Sequence, residues 1–260
     1  MTRAARAVGS ALGVSLMATA TLGLALAHAA VPAQGFTPAQ AQAQAQAQAV
    51  DANVVAASSP VATHYDFGRG GGTTNGNCSF PALPKSELYV AVGPDKYQHG
   101  AGCGTFLDVI GPKGKVRVVV MDQCHECGPG HLDLSDTAFR KIGDYNAGII
   151  PVQFKAVKNP AVPPIALRFK DGSSAHWAAL QVINNGNALR SVSIKSHGRT
   201  QALTRTEYGY WLAPRGAGSG PYSITIRDVF GHQVKLRNIP LLPNRVQRTG
   251  THLYRTGAGG

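Results

Sequence analysis

The stretch that decides the fold is MDQCHECGPGHLDLSDTAFRKIG, residues Met121–Gly143. It continues KVRVVVMD, in which valines alternate from Val116 to Val120 and predict a strand with one buried face. It ends in a short helix pattern, SDTAFRKIG, with Ser135 as a good N-cap and Gly143 able to close the helix. The helix spans only about two turns, so the pattern predicts a β domain that carries a helical decoration.

The cysteines of this stretch could form a disulfide or bind a metal ion. The chain has four in total: Cys78, Cys103, Cys124 and Cys127. An even number in an exported chain favours two disulfides, with Cys124 and Cys127 paired locally and Cys78 left for Cys103. A zinc site completed by His125 and His131 is the competing interpretation, although Pro129 and its flanking glycines favour a turn. A redox dithiol is disfavoured because no βαβ pattern surrounds the pair.

The N-terminus predicts export. Residues 1–30 combine Arg3 and Arg6, an apolar run from Leu12 to Leu26 and a small-residue cleavage pattern, AHA, which is typical of a secretory signal peptide. Residues 31–59 are rich in Ala and Gln and are predicted to be a low-complexity tether. No later segment has the apolar length of a membrane span, so we expect a secreted, extracellular protein.

The charge of the chain is strongly positive. The formal net charge is +12, and loss of the two arginines of the signal peptide would lower it to +10. The basic residues are spread along the chain, which argues against a nucleic-acid-binding arm and fits attraction to acidic extracellular polymers. A charge that only aids solubility is an equal alternative.

The remaining chain reads as two β domains. YSITIRDVFGHQVKLRNIP predicts a hairpin around Phe230-Gly231, and HWAALQVINNGNALRSVSIKS predicts another around the Asn-Gly pair at 185–186. The proline cluster KNPAVPPIALRF separates the half with the cysteines from the half with the hairpins. We therefore predict a disulfide-stapled β-barrel over residues 60–158, a β-sandwich over 159–248 and a flexible tail over 249–260.

Two carboxylates of the opening stretch are candidate catalytic groups. Asp122 ends the valine strand and Asp133 stands just before the helix N-cap, positions at which side chains converge on a cleft rim. Such a pair could act as acid and base in sugar hydrolysis. The helix dipole would favour ionised Asp133 unless burial or a neighbouring charge opposes it. Alternatively, Asp133 only accepts hydrogen bonds from backbone N–H groups.

Several segments resemble the expansin family. DQCHECGPGHLDLSDTAFRKIG resembles the segment of bacterial expansins that holds their best-known aspartate, and ATHYDFG, residues 62–68, resembles the entry to the same domain. NCSFP and GAGCGTFLDVIGPKGKV resemble the next segments of that domain. FKDGSSAHWAALQV resembles the start of the expansin carbohydrate-binding domain. The resemblance runs in order from about residue 60 to about residue 246.

The resemblance implies an all-β protein in which a six-stranded double-psi β-barrel is followed by an immunoglobulin-like β-sandwich. The barrel would be akin to that of family-45 endoglucanases, and both domains would form one polysaccharide groove. The implied activity is the loosening of plant cell walls without hydrolysis. The implied partners are cellulose and matrix polysaccharides (xyloglucan, xylan or pectin), bound by a monomer without metal or cofactor, and no nucleic acid or membrane is implied.

The resemblance assigns roles in the barrel. Asp133 matches the indispensable aspartate, Asp122 the aspartate that borders it, and Thr63 and Tyr65 match groove residues. Asp66 stands one position early for the catalytic base of the related endoglucanases, and a one-residue shift turns a strand side chain to the opposite face. Enzyme activity is therefore not expected. A weak endoglucanase with Asp133 as general acid is the alternative, and a purely carbohydrate-binding protein is the third possibility.

Three histidines of the barrel half raise the question of a metal site. His99, His125 and His131 are expected to be surface or loop residues and not metal ligands. If His131 lies near Asp133, it would make the charge of the site depend on mildly acidic pH.

In the sandwich, the resemblance predicts a row of surface aromatics on which sugar rings stack. Trp177 and Tyr208 match two of the three positions, and His176 occupies the third as a smaller platform. Lys170 matches a basic residue that supports the row. Trp211 is expected to pack in the core, although it and Tyr210 lie close enough in sequence to Tyr208 to compensate for the histidine.

Overall fold

The computed structural model describes residues 59–67 and 76–255. The predicted signal peptide lies outside the described residues, as do all but the last residue of the predicted tether, the segment 68–75 and residues 256–260. The described residues all belong to one compact unit that spans Ala56–Gly260. Among them, no helix is long and apolar enough to cross a membrane.

The first half is a seven-stranded sheet in the order β6-β1-β5-β2-β4-β3-β7. Its strands are β1 (Val61–Tyr65), β2 (Tyr89–Val92), β3 (Phe106–Gly111), β4 (Gly114–Gln123), β5 (His131–Ser135), β6 (Ile150–Pro151) and β7 (Gln153–Ala156). Two helices, α1 (Pro94–Tyr97) and α2 (Asp136–Ile142), and a 3-10 turn at Tyr145–Ala147 accompany it.

The sheet closes into a barrel because its two edge strands are one stretch of chain. β6 pairs with β1, and β7 pairs with β3 at the other edge of the sheet. The only residue between them is Val152, whose N–H donates to the carbonyl of Pro60. The extended segment 150–156 therefore bridges both edges, and the sheet is a closed barrel of six strands, as predicted.

The valine alternation places the core inside this barrel. Val116, Val118 and Val120 are buried, with no more than 4% exposed surface, and all three belong to the barrel core. The predicted helix follows β5 as α2, and the Ser135 hydroxyl oxygen accepts a hydrogen bond from the N–H of Ala138 (3.2 Å). Both the buried strand face and the N-cap are thus confirmed.

The second half is a sandwich of two antiparallel sheets around its own core. One sheet has the order β11-β10-β14-β15 and the other β12-β13-β9-β8-β16. The strands are β8 (Ala166–Phe169), β9 (Ala178–Ile183), β10 (Leu189–Ser196), β11 (Arg199–Ala202), β12 (Thr204–Arg205), β13 (Trp211–Ala213), β14 (Tyr222–Asp228), β15 (Gln233–Ile239) and β16 (Val246–Arg248). The hairpin predicted around Phe230-Gly231 is confirmed by the pairing of β14 with β15. The immunoglobulin-like type of this sandwich stays a prediction.

The hairpin predicted around the Asn-Gly pair is wrong. β9 pairs with β8 and β13, whereas β10 pairs with β11 and β14 in the opposite sheet. The side-chain amide of Asn185 donates to the carbonyls of Cys103 (3.0 Å) and Asn187 (2.9 Å), so the turn is held against the barrel. Gly186 has φ +65°, and a Cβ there would lie 1.8 Å from the hydroxyl of Tyr254. The turn therefore carries the chain between sheets.

The sandwich continues into the segment 249–260 that was expected to be a flexible tail. Leu253 and Tyr254 are only 6% and 5% exposed and belong to the sandwich core. The Tyr254 hydroxyl donates to the carbonyl of Pro160 (2.9 Å), and the N–H of Ile165 donates to the carbonyl of Thr251 (2.8 Å). The segment 249–255 packs as part of the sandwich because these contacts bury its apolar side chains.

Both predicted disulfides are present, Cys78–Cys103 and Cys124–Cys127. The second pairing consumes the two thiolates that a zinc site would need, so the competing interpretation is not supported by the structure. Cys78–Cys103 lies where the barrel meets the sandwich, and the carbonyl groups of both its cysteines accept hydrogen bonds from sandwich side chains.

Three hydrogen bonds between the two halves run from side-chain donors of the sandwich to backbone acceptors of the barrel. Gln181 is fully buried on β9, inside an otherwise apolar run. The three donor–acceptor pairs are Gln181 Nε2 to Cys78 O (2.9 Å), Arg168 Nη2 to Ser79 O (2.9 Å) and Asn185 Nδ2 to Cys103 O (3.0 Å). Buried polar groups of this kind fix orientation, because leaving any of them unpaired is costly.

Candidate functional site

Asp133 lies in the middle of β5, between β1 and β2. Leu132 and Leu134 on either side of it have no exposed surface and point into the barrel core. Because strand side chains alternate between faces, Asp133 shares the opposite face with His131. In the parallel pairing of β1 with β5, Thr63 lies directly opposite Asp133.

These three side chains form a hydrogen-bonded chain. The Thr63 hydroxyl donates to Oδ1 of Asp133 at 2.6 Å, and Nε2 of His131 lies 2.9 Å from the same Thr63 oxygen. His131 was expected to be a surface or loop histidine. The structure corrects this, because His131 is a partly buried residue of β5 beside the candidate aspartate.

Burial raises the pKa of the Asp133 carboxyl above its usual range. The hydrogen bond from Thr63 and the nearby charges of His131 and His64 oppose this effect, while the charge of Asp122 adds to it. Burial therefore outweighs the hydrogen bond and the two histidines that favour the ionised form. A carboxyl held this way is more readily protonated than one in water, as a proton donor must be.

Asp122 lies on the same sheet but two strands away. Ala91 of β2 pairs with Asp122 on one side and with Asp133 on the other. Two strand spacings place the two aspartate backbones roughly 10 Å apart. Oδ1 of Asp122 accepts hydrogen bonds from the backbone N–H groups of Asn77 (2.6 Å) and Gln123 (2.8 Å). Asp122 therefore anchors the chain that enters the Cys78 disulfide.

Tyr65 packs beside both aspartates at the end of β1. Its ring makes edge contacts with Phe67 and Tyr89, with centroids 5.2 and 5.7 Å apart. Burial, followed by the charge of Asp122, raises the pKa of the Tyr65 hydroxyl, and Asp133 contributes in the same direction. Within the part of the chain that the structure describes, this buried hydroxyl has no hydrogen-bond partner.

Asp66 follows β1 and acts on another group. Its charge adds to the burial that raises the pKa of Tyr89. The charges that act on Asp133 come from His131, His64 and Asp122. The orientation of Asp66 relative to Asp133 stays a prediction.

Sequence reasoning missed a second polar pair behind the site. His64 lies next to Thr63, and its Nδ1 is 2.7 Å from Oδ1 of Asp136 at the start of α2. The hydroxyl of Tyr145 donates to the other oxygen of Asp136 (3.0 Å), and the His64 ring lies 4.2 Å from the Tyr145 ring. No sequence signal joins these residues, because they meet only through the pairing of β1 with β5 and the fold of α2.

The candidate sugar platform lies on the outer face of the five-stranded sheet. Ala178, Leu180 and Val182 of β9 belong to the sandwich core, so Trp177 and Gln181 lie on the opposite, outer face. Gln181 meets the barrel, whereas Trp177 is partly exposed. The barrel therefore covers one end of this face and leaves the end with Trp177 open.

The other predicted platform residues are also accessible. Lys170 is partly exposed, and its N–H donates to the carbonyl of Ala179 beside Trp177. His176 is exposed, and Tyr208 is 36% exposed with its ring 5.9 Å from that of Tyr210. The structure thus leaves all four predicted side chains accessible.

The neighbouring aromatics cannot extend the platform. Trp211 is 7% exposed and belongs to the sandwich core, which confirms the expectation. Tyr210 is 2% exposed, and its hydroxyl is hydrogen-bonded to Arg168. Neither residue compensates for the histidine at position 176.

A cleft of about 380 Å³ lies between the barrel site and the platform. Asn77 and Ser79 line it from the barrel, and Arg168, Lys170 and Tyr210 line it from the sandwich. Because the N–H of Asn77 is bonded to Asp122, the cleft begins beside the aspartate site and ends at the platform residue Lys170.

The remaining predicted histidines lie elsewhere. His99 is exposed and pairs with Glu207 (2.9 Å), and His125 is exposed in the loop of the Cys124–Cys127 disulfide. Over residues 59–67 and 76–255, no three His, Cys, Asp or Glu side chains converge as metal ligands.

A closed barrel with a half-buried aspartate is joined to a sandwich with accessible aromatics, which defines a two-domain all-β protein, and known proteins resemble it. A double-psi β-barrel family model described as lytic transglycolase matches residues 90–154. Expansin-YoaJ of Bacillus subtilis is 33% identical over 178 residues, covering 67% of this chain and 76% of the relative. Expansin-like protein 5 of Dictyostelium discoideum is 30% identical over 190 residues, covering 68% of this chain and 79% of the relative.

A solved structure extends the likeness to both halves. The crystal structure of a mutant Clavibacter michiganensis expansin in complex with cellohexaose has a TM-score of 0.72 and 49% identity, covering 76% of this chain and 98% of that chain. This chain belongs to the expansin family, and its first half is a double-psi β-barrel, as predicted.

Proposed function

We propose that this chain is a secreted expansin that binds cellulose and matrix polysaccharides and loosens plant cell walls without hydrolysing them. Family membership and the cellohexaose complex of its Clavibacter relative support polysaccharide binding. The signal-peptide pattern of residues 1–30 and the two disulfides support an extracellular location. In this proposal the protein acts as a monomer, with no metal or cofactor.

The observation that carries the non-hydrolytic proposal is the unequal state of the two aspartates. Asp133 is a half-buried carboxyl with a raised pKa, whereas Asp122 already accepts hydrogen bonds from two backbone N–H groups. Inverting hydrolysis needs a second carboxylate, about 6.5–9.5 Å from the acid, that is free to activate a water molecule. Asp122 instead accepts hydrogen bonds that hold the backbone in place. This supports a site that polarises or distorts a glycan rather than cleaving it.

The alternative is a weak endoglucanase, and one observation favours it. A carboxyl whose pKa is raised by burial is what a general acid requires, and Asp133 has this property. In that case Asp133 would protonate the glycosidic oxygen, and the base would have to come from Asp66 or Asp122.

The proposed binding surface extends from the barrel to the sandwich. Trp177 and Tyr208 would stack on the apolar C–H faces of sugar rings, and the cationic end of Lys170 would meet hydroxyl or carboxylate oxygens at the edge of the platform. In the barrel, Thr63 and Tyr65 would line the part of the groove next to Asp133. His176 offers a smaller ring, so binding to crystalline cellulose should be weaker than with three large aromatics.

The test of the proposed function measures extension and cleavage together. Heat-inactivated plant cell wall is held under constant load with the protein, and creep is recorded while soluble reducing sugar is assayed in the bath. The proposal expects creep without release of sugar. Sugar release would support the endoglucanase, and binding without creep or sugar would leave a carbohydrate-binding protein.

Replacing Trp177 by alanine tests the platform. We expect Trp177→Ala to weaken binding to cellulose roughly tenfold, equivalent to ~1.4 kcal/mol, because a stacking surface is lost at the open end of the sheet. The measurement is a depletion isotherm on microcrystalline cellulose. Phe230→Ala is the matched control, since Phe230 is also an exposed aromatic (48%) but lies in the β14–β15 turn. Equal binding by wild type and Trp177→Ala would place the platform elsewhere.

A further inference from the structure

His131, Thr63 and Asp133 form a hydrogen-bonded chain with a single hydroxyl hydrogen, that of Thr63, at its centre. In the observed arrangement Thr63 gives that hydrogen to Oδ1 of Asp133 (2.6 Å). A hydroxyl that donates in one direction can only accept in the other. Nε2 of His131, 2.9 Å away, must then carry the hydrogen that points at Thr63.

Protonation of Asp133 on Oδ1 reverses the direction of these hydrogen bonds. A protonated Asp133 can donate to the Thr63 oxygen, and the Thr63 hydrogen then turns toward His131. This second arrangement requires that Nε2 of His131 carries no hydrogen. An imidazolium has hydrogens on both ring nitrogens and is therefore compatible only with the first arrangement, in which Oδ1 of Asp133 carries no hydrogen.

We propose that His131 is a positioning residue that acts through the Thr63 hydroxyl to keep Asp133 ionised until the medium is acid. The protonation state of Asp133 is thus linked to His131 through the Thr63 hydroxyl that both residues share. This inference rests on the proposed function for its biological meaning, since it describes how the charge of the proposed functional aspartate is controlled.

The other charged groups around Asp133 do not take over this role. His64, from β1, lowers the pKa of Asp133 less than His131 does and is itself paired with Asp136 at 2.7 Å. Asp122, from β4, acts in the opposite direction. Of the groups that act on Asp133, His131 is the cation that also shares its hydrogen-bonding hydroxyl.

The test follows the carboxyl of Asp133 directly by a ¹³C NMR pH titration of the full protein. We expect His131→Gln to raise the titration midpoint of Asp133 by about one pH unit, because an opposite charge a few ångströms away lowers a carboxyl pKa by at least that much. His125→Gln is the matched control, since His125 is exposed, and should leave the midpoint unchanged. An unchanged midpoint in His131→Gln would overturn the proposal.

A second variant tests the path through Thr63. Thr63→Val keeps the shape of the side chain but removes the shared hydroxyl, so it should also raise the midpoint. In Thr63→Val, adding His131→Gln should then shift the midpoint by less than it does in the wild type. Fully additive shifts would mean that His131 acts only through space, and would overturn the role of Thr63.

The creep assay separates this inference from the proposed function. If the protein loosens walls, the pH profile of creep in His131→Gln should move toward neutral pH by the same interval as the NMR midpoint. Absence of creep at every pH, together with a shifted midpoint, would reject wall loosening and support the coupling. A shifted creep profile with a fixed midpoint would reject the coupling.

Discussion

Asp133→Asn should reduce wall creep to the level of buffer alone while leaving cellulose binding by the sandwich intact. Asparagine matches the shape of aspartate and can still accept the hydrogen bond from Thr63, but it can neither carry a charge nor donate an acidic proton. The measurement is creep of heat-inactivated wall, with a binding isotherm on the same preparations. Asp95→Asn is the control, because Asp95 is an exposed barrel residue that pairs with Lys96.

The same variant should be at least as stable as the wild type. Burial raises the pKa of Asp133, so at pH 7 the folded protein holds a carboxylate that would be better solvated in the unfolded chain. Asparagine removes that penalty. An equal or higher midpoint of urea unfolding at pH 7 would show that lost creep reflects lost chemistry. Full creep in a stable Asp133→Asn would remove this residue from the proposed mechanism.

Asp228→Ala is expected to cause the largest loss of stability. Asp228 has no exposed surface, and its carboxylate accepts hydrogen bonds from Asn187 and from the backbone N–H groups of Phe230 and His232. Removing it leaves these buried donors unpaired, at a cost of about 3–5 kcal/mol. Urea unfolding at pH 7 measures the loss, and Asp171→Ala, at an exposed acid of the same sandwich, is the control.

The stability that Asp228 contributes should depend on pH in a defined direction. Burial favours its neutral form, but the hydrogen bonds from Asn187 and His232 prevail and lower its pKa in the folded protein. A lowered folded pKa contributes stability above the unfolded value of about 4, and that contribution is lost as the pH falls. The difference between wild type and Asp228→Ala should therefore shrink below about pH 4. A constant difference from pH 7 to pH 3 would contradict this assignment.

Much of the fold could be predicted because it depends on local patterns. The alternation from Val116 to Val120 indicates one buried face, and Ser135 caps the helix wherever the chain goes next. Cys124 and Cys127 are too close in sequence to need any knowledge of the fold. In each case the cause and the effect lie within a few residues.

The errors arose where distant contacts override a local signal. The Asn-Gly pair at 185–186 is a strong hairpin signal, yet the amide of Asn185 binds the barrel at Cys103 and turns the chain into the other sheet. Residues after Arg248 have the composition of a tail, but Leu253 and Tyr254 fill the sandwich core. No pattern within either segment records its partner.

The candidate site shows the same division. The resemblance to expansins indicated Asp133, Asp122 and Thr63. That burial raises the pKa of Asp133 could be judged only from the fold. The position of His131 in the hydrogen-bonded chain was conditional on a strand pairing that the sequence does not state. The pair of His64 with Asp136 was missed for the same reason.

The contact between barrel and sandwich has a consequence for engineering. Three side chains of the sandwich donate to main-chain carbonyls of the barrel, two of them from the cysteines of one disulfide. In the other direction, the hydroxyl of Tyr97 in the barrel donates to the carbonyl of Glu207 in the sandwich. Side chains on both surfaces therefore hold the contact, and each donates to a backbone carbonyl of its partner. Recombination of modules must respect both directions. A transplanted sandwich must bring Arg168, Gln181 and Asn185 with it, and a foreign barrel needs a tyrosine equivalent to Tyr97 as well as a disulfide that holds the backbone in the same place.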